Sequence, residues 1–107
     1  MIGNNQSDAV FVNGPNINDA SVFYTLEKLD IRGFNNGIII GNYTWLTGIF
    51  SCAIQNYTTY GFWLSSATDE GEELSIYNTA IFNGATPTAI GAYIDRGSNV
   101  YGDVYFS

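Results

Sequence analysis

The chain has 107 residues, 46% hydrophobic and only 12% charged, with a net charge of −7. That length holds one small domain with a single core, and the charged share is about half of what is usual. Lys28, Arg32 and Arg96 are the only basic residues and histidine is absent. This excludes the clustered cations of a nucleic-acid or anionic-membrane surface. It also removes a Ser-His-Asp triad and the commonest zinc ligand.

From the N-terminus, Met1 to Gln6 shows neither a basic region nor an apolar stretch, so it does not read as a signal peptide. Ala9-Val10-Phe11-Val12 has strand character, and Leu26-Glu27-Lys28-Leu29-Asp30-Ile31 follows it. Gly37-Ile38-Ile39-Ile40 holds the longest apolar run, far too short to span a bilayer. Cys52, alone and therefore without an intrachain disulfide, sits in Ile49-Phe50-Ser51-Cys52-Ala53-Ile54 and reads as a small buried hydrophobe. Gly61-Phe62-Trp63-Leu64 leads into the acidic stretch Asp69-Glu70-Gly71-Glu72-Glu73. Ile76-Tyr77-Asn78-Thr79-Ala80-Ile81, Gly91-Ala92-Tyr93-Ile94 and Val104-Tyr105-Phe106 complete the series.

These runs repeat. The Gly-led segments and their Ala9 counterpart start 28, 24 and 30 residues apart, within the range of solenoid periods. Between them, three six-residue runs align, with apolar residues at the first, fourth and sixth places, Thr79 being the exception. Their third place is polar each time, Lys28, Ser51 and Asn78, and is predicted to be a bend in the left-handed region that Asn tolerates. Val104-Tyr105-Phe106 aligns with Leu74-Ser75-Ile76 at a spacing of 30. The predicted fold is all-β: a right-handed single-stranded parallel β-helix of about four coils, near residues 9–36, 37–60, 61–90 and 91–107. The last coil is incomplete, so a segment of a longer helix is expected, or a chain whose edges other protein covers.

Leu29-Asp30-Ile31-Arg32-Gly33-Phe34, Gly37-Ile38-Ile39-Ile40-Gly41, Gly71-Glu72-Glu73-Leu74-Ser75-Ile76-Tyr77-Asn78 and Ala80-Ile81-Phe82-Asn83 resemble the pectate-lyase-like β-helix of bacteriophage tail spikes. The resemblance covers most of residues 9–107. It implies a homotrimeric protein of the virion tail, or an extracellular one. Such a protein binds a bacterial surface polysaccharide and often cleaves it by hydrolysis or β-elimination. No catalytic motif of that family carries over residue by residue. The calcium and Arg/Lys constellations of pectate lyases are not evident, and no metal or cofactor is expected.

Side chains alternate across a strand. With Val10, Ile38, Phe62 and Ala92 inward, Phe11, Ile39, Trp63 and Tyr93 point outward and line up as an exposed apolar and aromatic stripe. Such a stripe suits sugar rings stacking on Trp63 and Tyr93, or burial against a neighbouring subunit. A slip of one residue would exchange the two faces. Glycoside hydrolysis needs two carboxylates across the scissile bond, for which Asp69, Glu70, Glu72 and Asp95 are the candidates. The same acids also read as a solvated turn around Gly71. Asn35, Asn36, Asn56, Asn78 and Asn83 follow strands, where they satisfy turn backbone or bond sugar hydroxyls.

Three functions compete on this reading. One is a depolymerase segment in contact with polysaccharide, and another is a non-catalytic structural or oligomerising solenoid of a virion appendage or secreted fibre. The third is a stand-alone carbohydrate-binding repeat.

Overall fold

Runs of three to five residues cannot form sheets by themselves. They gain stability by pairing with their equivalents one repeat away. The computed structural model describes residues 1–16, 18, 20–22, 24–65, 70–95 and 104–106, with the backbone alone for 21–22, 70–72 and 104–106. The first repeat holds β1 (Asp8–Val12), β2 (Ser21–Val22), β3 (Thr25–Glu27) and β4 (Asp30–Arg32). The second holds β5 (Asn36–Ile40), β6 (Thr44–Trp45), β7 (Gly48–Phe50) and β8 (Ala53–Gln55). The third holds β9 (Tyr60–Leu64), β10 (Glu70–Glu72), β11 (Leu74–Tyr77) and β12 (Ala80–Phe82), and β13 (Ile90–Ile94) and β14 (Val104–Phe106) follow.

The protein is all-β, and among the described residues every strand pair is parallel. These residues form four sheets, ordered β1-β5-β9-β13, β2-β6-β10, β3-β7-β11-β14 and β4-β8-β12. Each takes one strand from each successive repeat, an arrangement compatible with a β-solenoid. The register agrees with the sequence alignment. Leu26 pairs with Ile49, Ile49 with Ile76 and Ile76 with Phe106. Val10, Ile38, Phe62 and Ala92 form one column, and Val12, Ile40, Leu64 and Ile94 another.

Left-handed corners separate the sheets. Lys28, Ser51 and Asn78 have φ of 57°, 55° and 50°, so the polar third place is the predicted bend. A second corner stacks Gly33, Asn56 and Asn83 at 74°, 57° and 53°. Pairing continues through the corners: Lys28 N donates to Phe50 O, Ser51 N to Tyr77 O and Asn56 N to Asn83 O. Asn is favoured here because its short polar side chain reduces the left-handed penalty.

The core lies between the sheets, with Ile31, Ile38, Ile40 and Leu64 fully buried and Cys52 only 4% exposed. Gly37 and Gly61 are also buried. A Cβ on Gly37 would run into the Gly61 carbonyl oxygen, and one on Gly61 would lie 2.7 Å from that of Gly91. Gly37 and Gly61 are thus set by close approach of backbone between repeats. Ala92 continues the inward column but is exposed, on the outermost described strand of its sheet. One expectation is corrected. Asn35 and Asn36 bond between repeats: Thr58 and Thr59 hydroxyls donate to Asn35 Oδ1, while Asn36 donates to Asp8 Oδ1 and accepts from Tyr60 N.

Candidate functional site: an aromatic stripe and a separate groove

Phe11, Ile39, Trp63 and Tyr93 stand in register on β1, β5, β9 and β13. Phe11 is 61% exposed and Tyr93 38%, with Trp63 half-buried. Ile39 departs from the expected open stripe, being only 6% exposed. It stands outside the core cluster that contains Ile38 and Ile40, so it faces outward but is covered. Phe11 and Trp63 flank it, one strand spacing away on either side, and leave water little access.

Tyr60 joins the stripe, which alternation did not foretell. Counting back from Trp63 puts Gly61 outward and Tyr60 inward. Instead, Gly61 and Phe62 are both buried, and the strand pairing skips the glycine position between Tyr60 and Phe62. The kink turns Tyr60 out. Its ring stacks on Tyr93 at 5.0 Å and 9°, and meets Trp63 at 5.1 Å and 44°. Such ring pairs add about 0.5–1.5 kcal/mol beyond burial. The cluster is therefore a preformed aromatic platform. The Trp63 indole N–H is buried and finds no partner among the described residues.

The described candidate acids divide between two sheets. Asp95 directly follows β13 of the stripe's own sheet, and its backbone N–H donates to Leu64 O. Glu70 and Glu72 lie on β10, in a different sheet, opposite Thr44 and Trp45 with an irregular register. Asp69 lies outside the described residues. Among the described residues, no group of three or more His, Cys, Asp or Glu is placed to hold a metal ion.

A groove of about 410 Å³ lies at another sheet, lined by Thr25, Leu46, Thr47, Gly48, Phe50, Glu73 and Ser75. Thr25, Gly48 and Ser75 are paired neighbours across β3, β7 and β11. The Phe50 ring lies over Gly48, where a Cβ would collide with it. Leu46 and Glu73, both left-handed at φ 56° and 50°, form one wall. The sequence signal for the groove was Gly48 standing between two hydroxyl residues, visible only once the register is known. Glu73 brings a carboxylate and Thr25 and Ser75 bring hydroxyls, a set that hydrogen-bonds neutral polar groups.

Compared with known proteins, the chain matches no protein-family model, no curated protein and no solved structure.

Proposed function

We propose that the chain is a segment of a right-handed parallel β-helix, similar to that of bacteriophage tail spikes, that binds bacterial surface polysaccharide. The single observation that carries this reading is the outward-facing Tyr60–Trp63–Tyr93 cluster, with two rings stacked 5.0 Å apart. Flat rings held rigidly by a sheet offer their faces to the C–H side of a sugar with little ordering cost. The right hand is the expected one, since parallel crossovers take it in about 98% of cases. Placement in a homotrimer on a virion tail or an extracellular fibre belongs to the same proposal. Cleavage is the weaker part of it, because Glu70 and Glu72 belong to a different sheet from the stripe.

The alternative is a non-catalytic structural or oligomerising solenoid. The 61% exposure of Phe11 favours it, since an apolar ring this open gains from burial against a subunit.

The test is Trp63→Ala and Tyr60→Ala in the intact protein, measured for adsorption to capsular polysaccharide and lipopolysaccharide and for oligomeric state. Weakened adsorption with unchanged assembly supports the sugar platform. Unchanged adsorption with weakened assembly moves the stripe to a subunit contact. Release of new reducing ends or unsaturated products by the parent protein decides whether it also cleaves.

A further inference from the structure

Resting on the polysaccharide reading, we infer that the stripe selects uncharged sugar units over polymers bearing uronate, sialate, phosphate or sulfate groups. An anionic polymer needs cations at its binding face, because desolvated carboxylate or phosphate oxygens must be met by charged donors. The stripe's sheet supplies none. Its strands read DAVFV, NGIII, YGFWL and IGAYI, without a single Lys or Arg. Their only charged residue is Asp8, whose Oδ1 accepts from Asn36, and the carboxylate of Asp95 stands directly after β13.

The cations that the structure describes are elsewhere. Lys28 sits at the corner between β3 and β4. Arg32 is on β4 and is engaged by Asp30 through bonds of 2.9 and 2.6 Å. Arg96 lies outside the described residues. The groove repeats the pattern, with Glu73 the one charged residue among its described lining. A net charge of −7 adds a field that slows the approach of a polyanion and weakens as salt is raised. A neutral sugar meets no such penalty. It needs a flat apolar surface with hydrogen-bonding groups at its rim, which Trp63 and the rings and hydroxyls of Tyr60 and Tyr93 provide.

The test uses matched pairs of polymers. Acidic capsular polysaccharides and their carboxyl-reduced, neutral derivatives are immobilised beside naturally neutral bacterial polysaccharides. The full chain is then bound at about 20 mM and about 150 mM salt. The expected result is that neutral members bind about tenfold or more tightly than their acidic partners at low salt, with the gap narrowing at higher salt. Equal or tighter binding of the acidic members overturns the inference and leaves the polysaccharide reading standing. Loss of that acidic binding in Arg96→Gln would then identify the cation responsible. Binding to no polymer of either kind overturns the polysaccharide reading and the inference together.

Discussion

At Gly61 a methyl group would sit 2.5 Å from Ile81 Cγ2, 2.7 Å from the Gly91 carbonyl oxygen and 2.9 Å from Tyr57 Cε1. Two of these neighbours belong to buried or partly buried core side chains and the third to backbone, so none can withdraw freely. Gly61→Ala should therefore cost about 1–3 kcal/mol, as overpacked cores do, read as a lower urea midpoint. Gly91 is the internal control: its added Cβ would meet nothing closer than 3.4 Å, so Gly91→Ala should leave the midpoint nearly unchanged. Equal losses at both sites would mean that backbone approach does not explain the repeated glycine. Thr47 presents the opposite case. It is 2% exposed, and its hydroxyl has no partner among the described residues, so Thr47→Val should raise stability by about 1 kcal/mol by removing an unsatisfied polar atom. Asp30 is a surface residue whose carboxyl is held below the ordinary value, chiefly by its hydrogen bond from Arg32. Its contribution is present above the unfolded carboxyl pKa and fades as pH falls through the lower folded one. With both side chains of the pair about half open to solvent, that contribution is small.

The corners are where element-level order was most legible. Three aligned runs with Lys28, Ser51 and Asn78 at the third place pointed to a bend, and all three adopt positive φ. The second corner, with Asn56 and Asn83 above Gly33, follows the same chemistry. Asn56→Ala should cost about 1 kcal/mol through the left-handed penalty, whereas Asn56→Gly should hold its thermal midpoint. A loss as large for glycine would assign the role to the Asn side chain instead. Other elements left no readable trace. β2 and β6 are two residues long, too short for any period to appear, and are placed by the longer strands before and after them in the chain. Tyr60 was hidden by the kink at Gly61, since alternation assumes an unbroken pleat. The covering of Ile39 depends on Phe11 and Trp63, one repeat away on either side, a contact that no local pattern encodes.

In a stack of repeats, each repeat is stabilised mainly by those directly above and below it, so a disturbance should be felt most by its neighbours. Cys52 is a natural reporter of this. It lies in the second repeat, 4% exposed, with its thiol near the carbonyls of Leu26 and Phe50. Its flanking backbone is tied in both directions, Ala53 N donating to Leu29 O and Ala80 N to Cys52 O. A thiol reagent can reach Sγ only when these contacts open. Labelling in native buffer should be roughly a thousandfold slower than in denaturant, given opening energies near a small domain's global stability. Labelling as fast as in denaturant would remove Cys52 from the core. Gly61→Ala acts on the repeat that covers Cys52 and should accelerate labelling in step with its loss of stability. Gly91→Ala, which costs almost no stability, should not. If Gly61→Ala lowered the urea midpoint yet left labelling unchanged, Cys52 would open independently of the repeat that covers it.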